Sequence, residues 1–114
     1  MAKFQVNPKA DTNGTSLQGY FNCSYKVLEA IFGEPVKSDE YKVSTEWVFE
    51  DVETGDVYTL YDWKETNLYS PNYPSVDEFR SLKSYEWHIG GYDDPSDLIN
   101  FLNKKVEEYN QKQY

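Results

Sequence analysis

The chain has one histidine, His88, and one cysteine, Cys23, among its 114 residues. A hydrolytic nucleophile needs a base and an orienting group beside it. Cys23 directly precedes a helix start, where amide N–H groups favour a thiolate. A Cys23–His88 pair is therefore the one Cys–His arrangement on offer. The ordinary alternative is a buried thiol and a histidine on a strand face.

Zinc would want several His or Cys ligands, and the chain cannot assemble them. Carboxylates are abundant enough for a magnesium site in principle. Asp62-Trp63-Lys64 matches a fragment of the D-x-K arrangement of metal-dependent nucleases, in which the acid holds the metal and the lysine stabilises charge. With Glu46 and His88 it would make a phosphodiesterase or nuclease. The alternative is a strand end with a solvated lysine. No catalytic residue, metal ligand or cofactor is assigned.

Aromatic and polar residues together form a more informative set: Trp47, Tyr61, Trp63, Lys64, Trp87 and His88. Either the tryptophans build a core, or rings beside a few charges line a nucleotide or peptide pocket. Lys42 and Lys64 would then contact an anion. The candidate ligand- or partner-binding residues are Lys42, Glu46, Tyr58, Asp62, Lys64, Tyr69, Tyr73, Glu86 and His88.

Most of these residues belong to one predicted hairpin, Lys42–Lys64. Two β-prone runs flank Glu53-Thr54-Gly55-Asp56, and Gly55 supplies the positive φ of a turn. Alternation groups Val43, Thr45, Trp47 and Phe49 on one face, and Glu46, Val48 and Glu50 on the other. In the second strand it groups Val57, Thr59, Tyr61 and Trp63 against Tyr58, Leu60 and Asp62. The Trp/Phe/Tyr faces are expected in the core, which leaves function to the Glu46/Glu50/Tyr58/Asp62 side and the Lys64 end. Ser84–Ile89 is predicted to pair with the hairpin.

Upstream, Ser16–Cys23 reads as a first strand with a bulge at Gly19. Ser24 caps a helix whose Val27, Leu28, Ile31 and Phe32 share a face; Gly33 and Pro35 end it. Lys64–Pro74 is a long loop carrying Tyr69 and Tyr73, of a length that is often functional. Ser75-Val76-Asp77-Glu78 has capping-box form, predicting a turn of helix through Leu82. Asp94-Pro95-Ser96-Asp97 starts a helix running to about Tyr109, with Leu98, Leu102 and Val106 inward.

These elements predict an α+β domain over residues 16–110, with a flexible lead-in at 1–15 and a tail at 111–114. The expected order is β-α-β-β-β-α, an antiparallel sheet of three to four strands with helices on one face. The other face needs solvent or a partner, and a second copy of the chain is one such partner, making a homo-oligomer.

Twenty acids against 11 bases give a net charge of −9, and 18 % of residues are aromatic. A duplex-binding protein would show a basic patch instead. The acidic bias between Glu34 and Asp56 reads as solubility or as mimicry of a nucleic acid. A single cysteine excludes an internal disulfide and fits a reducing compartment. No apolar run is long enough for a membrane span, and the N-terminal residues lack a signal peptide's apolar core.

Four pieces, FGEP after the first helix, EW in the first hairpin strand, YDWK closing the hairpin, and WHIGG, occur in order within Thr15–Gly91. In this the chain resembles a family of small uncharacterised proteins of tailed phages and large DNA viruses. The resemblance implies a viral accessory protein in the host-cell cytoplasm and transfers no catalytic residue. A counter-defence role would follow, inhibiting a host protein or sequestering a nucleotide signal, with a small structural virion protein as a further alternative. A fainter likeness, to the lipoprotein subunit of the outer-membrane barrel-assembly machinery, implies architecture only.

Overall fold

Short-range sequence signals set the helices. In the computed structural model, which describes residues 4–12, 14–36, 43–63 and 65–112, Ser24 caps helix α1 (Tyr25–Phe32), its hydroxyl accepting from Val27 N. Gly33 closes α1 at φ 84°. Ser75 caps α2 (Val76–Arg80), which stops short of the expected Leu82. The Asp94 carboxylate accepts from the Ser96 amide and hydroxyl ahead of α3 (Ser96–Lys112), which outlasts the expected end at Tyr109.

The strands are β1 (Phe4–Val6), β2 (Ser16–Cys23), β3 (Glu46–Asp51), β4 (Val57–Tyr61) and β5 (Tyr85–Gly91). They form one antiparallel sheet in the order β1-β3-β4-β5-β2. The α+β class holds, with five strands instead of three or four. The extra strand lies in the expected lead-in: Phe4 and Val6 face inward around Gln5, and the Phe4 ring packs on Tyr58 and Phe101. The predicted bulge appears as a register shift between Leu17 and Gly19.

All three helices lie against one face. Leu28, Phe79, Leu98 and Leu102 join Phe21, Trp47, Phe49, Leu60, Trp87 and Ile89 in one cluster. Each fully buried aliphatic side chain contributes about 1.5–3 kcal/mol. Trp47 and Trp87 meet edge to face at 5.5 Å. Their indole N–H groups donate to Gly33 O and Cys23 O, each at 2.9 Å. Those carbonyls lie at the two ends of α1, so the tryptophans tether both ends of that helix to the sheet. The molecule measures 43 × 41 × 21 Å. Its short dimension is one sheet and one layer of helices, each about 10 Å thick.

The hairpin register corrects the expected faces. Trp47 lies opposite Leu60, and Phe49 opposite Tyr58. Residues directly opposite in an antiparallel pair share a face. Tyr58 and Leu60 therefore join Trp47 and Phe49 in the core, and Tyr61 and Trp63 turn to the other side. Trp63 is 40 % exposed, against 1 % for Trp47 and 0 % for Trp87. The turn residues 51–56 set this parity. The buried Asp51 carboxylate accepts from Glu53 N and Thr54 N, and Gly55 takes φ 82° as expected.

No helix covers the second face. The segment 7–15 joins strands at opposite edges of the sheet and bends over this face, bringing Thr12 and Thr15 beside Thr59, Tyr61 and Gly90. Val48, Val57 and Thr59 are consequently buried there. Among the described residues, no helix is long and apolar enough to cross a membrane.

Candidate functional site

Cross-strand pairing assembles a row of side chains on the helix-free face. Glu46 lies opposite Tyr61, Tyr61 opposite His88, and His88 opposite Tyr20. The His88 imidazole stacks on Tyr61 at 5.4 Å and 28°, and meets Tyr20 at 5.2 Å. Trp63, two residues beyond Tyr61, adds a ring at 6.3 Å and 79°. Tyr20 is 47 % exposed. The result is an aromatic ribbon across three strands, ending in Trp63 and flanked by the Glu46 carboxylate.

Beside the ribbon lies a cleft of about 180 Å³. Tyr61, Trp63 and Glu46 line one part of it, and Thr12, Thr15 and Ser16 another. Gly90 opens its base. A Cβ there would sit 2.6 Å from Thr59 Oγ1 and 3.3 Å from Tyr61 Cε1. Burial raises the pKa of the Tyr61 hydroxyl, and the nearby Glu46 and Tyr20 push it further the same way. The potential in the cleft is therefore negative.

The expected site residues scatter. Glu46 and His88 belong to the ribbon, and Glu86 lies exposed on the same face, opposite Asn22. Tyr58 faces the helices; its hydroxyl donates to Asp93 Oδ1 at 2.9 Å and to Asp94 O at 3.1 Å. Asp62 is fully buried and holds the segment before β3. Its Oδ1 accepts from Ser44 N and Thr45 N, each at 2.8 Å, and its Oδ2 accepts from the Ser44 hydroxyl at 2.7 Å. The Asp62 carboxyl pKa is raised by burial, which outweighs those hydrogen bonds. Arg80 braces the same segment by donating to Thr45 Oγ1, and lies 4.6 Å above the Tyr25 ring. Tyr69 and Tyr73 stack on each other at 5.9 Å in the loop before α2, and neither lines the cleft. Lys42 and Lys64 lie outside the described residues.

Asp62 and His88 do not converge. Asp62 turns to Ser44 and Thr45, whereas His88 is stacked between Tyr20 and Tyr61. Cys23 and His88 also part: Cys23 is in the helix-side core and His88 on the opposite face. Burial raises the Cys23 thiol pKa, overriding the effect expected from the helix start. Among the described residues, no group of three or more His, Cys, Asp or Glu side chains could hold a metal ion.

Tyr20, Tyr61, Trp63, Thr15 and Gly90 were absent from the expected site. The signal for the two β4-side rings was their two-residue spacing on the strand phase of Glu46 rather than of Trp47. That phase is fixed by the turn and not by either strand's composition. No family model matches this chain, and no curated protein matches it in sequence.

Proposed function

We propose that this chain is a non-enzymatic binding protein of virus-accessory type, which uses its helix-free sheet face to grip and inhibit a host protein. One observation carries the choice of a protein over a nucleotide. No residue of the five strands is lysine or arginine, while the helix-free face presents Glu46, Glu50 and Glu86 beside the aromatic ribbon. A phosphate-bearing ligand would gain no cationic contact from those strands. A basic protein surface would gain both ring contact and charge complementarity. The sequence likeness to phage and viral accessory proteins supports the counter-defence role.

The test is affinity capture from host extract with the wild type and with a Tyr20→Ser/Trp63→Ser double variant. Both positions are solvent-exposed, so the variant is expected to keep its fold. A partner retained by the wild type and lost by the variant is the expected result. The same partner captured equally by both would refute the assignment of the face. A several-degree rise in melting temperature with a panel of nucleotides, and no protein partner, would favour the nucleotide-sequestering alternative.

A further inference from the structure

We infer that the cleft beside the ribbon receives the guanidinium of an arginine side chain presented by the partner protein. The inference rests on the binding role proposed above and gives its chemistry. Tyr61 and Trp63 stand at 79° to each other and form two walls of a corner. An aromatic face attracts a cation through its negative π surface, and attracts it more strongly when water is displaced. Glu46, paired directly with Tyr61, sets a carboxylate beside those walls. Ring faces with an adjacent carboxylate match a planar guanidinium, which stacks flat and donates along its edge.

Size selects a side chain over a free small molecule. The cleft holds about 180 Å³. Small-molecule sites usually enclose about 300–1,000 Å³. Gly90 is part of the design of the space, because the missing Cβ leaves the base of the cleft open between Thr59 and Tyr61. Thr15 and Ser16, on the segment that bends over the sheet, supply hydroxyl oxygens on the opposite wall. A net charge of −9 favours approach of a basic partner from any direction. The cleft then decides where its arginine enters.

Three probes test this on the full chain: N-acetyl-arginine methylamide, its lysine counterpart, and its neutral citrulline isostere. The readout is the Trp63 indole N–H resonance. Trp47 and Trp87 are sealed in the core and serve as internal controls of folding. The arginine probe is expected to shift Trp63 saturably with millimolar affinity, leaving both core indoles in place. Citrulline should bind at least roughly tenfold more weakly, and Glu46→Gln should weaken the arginine probe by a similar factor.

An equal response to citrulline, or a Glu46→Gln variant that is folded and binds unchanged, would overturn the inference. So would a lysine probe that binds as tightly as arginine. A folded Gly90→Ala variant that still binds arginine at full strength would also count against it. If no probe binds but host capture still depends on Tyr20 and Trp63, the arginine assignment fails and the binding face survives. If capture is also unaffected, both fail.

Discussion

Gly90→Ala converts the shape of the cleft into a stability measurement. The added methyl carbon would lie 2.6 Å from Thr59 Oγ1. Ordinary contact begins near 3.4 Å, so about 0.8 Å must be found. The neighbour cannot swing aside freely, since Thr59 is 3 % exposed. The backbone cannot yield freely either, because Gly90 pairs with Thr59 on one side and Leu17 on the other. Overpacking of this kind costs about 1–3 kcal/mol. Replacing a strand glycine by alanine returns about 0.5–1 kcal/mol of backbone entropy. The net loss is about 1–2 kcal/mol, read as a fall in the urea midpoint with unchanged m-value. Thr59→Ala removes the opposing oxygen, so the double variant should recover about 1 kcal/mol or more in a mutant cycle. Gly91→Ala should cost more, because its Cβ would meet Tyr58 Cδ1 at 2.6 Å and Cε1 at 2.8 Å, on a ring tethered through its hydroxyl to Asp93. A neutral or stabilised Gly90→Ala, or a double variant with no recovery, would refute the close approach.

Three further outcomes follow from the buried polar groups. Asp62→Ala should destabilise by about 3 kcal/mol or more in chemical denaturation, because it strands two buried amide donors at Ser44 and Thr45; Asp62→Asn, which keeps an acceptor at Oδ1, should cost markedly less. The Tyr25 hydroxyl is pushed up to about 12 from its model value of 10.0, mainly by burial and then by its hydrogen bond to Glu29. An acid whose folded pKa is raised lets the unfolded chain lose its proton first, so its share of stability is intact below pH 10 and is lost between pH 10 and about 12. Alkaline denaturation curves of the wild type and Tyr25→Phe should converge across that window, and parallel curves would contradict it. Cys23 should resist a thiol reagent at neutral pH until global unfolding, with labelling that accelerates in step with urea-induced unfolding; prompt labelling of the native protein would contradict its burial.

The elements legible in the sequence were those whose signals are local. Ser24, Ser75 and Asp94 each cap the helix expected of them, because a cap is a contact across two or three residues. Gly55 and the irregularity at Gly19 were readable for the same reason. The phase of β4 was not. Val57 to Leu60 are all buried, two against the helices and two beneath the segment 7–15, so alternation carries no contrast there. The ribbon was consequently assigned to the core, and Tyr58 and Asp62 to the site. Strand β1 was missed because three residues give little pattern; its anchor is Phe4 against Phe101, almost the whole chain away. The role of Asp62 was hidden in the same way, since its partners Ser44 and Thr45 approach only once the hairpin closes.

The placement of the first two strands at opposite edges of the sheet has a consequence for synthesis on the ribosome. β1 and β2 emerge first, yet β1 needs β3, and β2 needs β5. The β3-β4-β5 meander joins neighbours in sequence and can close early, whereas the β2–β5 ladder must bridge a long stretch of chain. At ~5–20 residues per second, β2 waits several seconds for its partner to be made. Throughout that interval its uncharged run, Ser16–Cys23, is an unpaired strand in the nascent chain. The last step of folding is then the docking of the N-terminal strands onto a finished meander. That docking also draws residues 7–15 across the sheet, so the cleft beside Trp63 is among the last features of the protein to form.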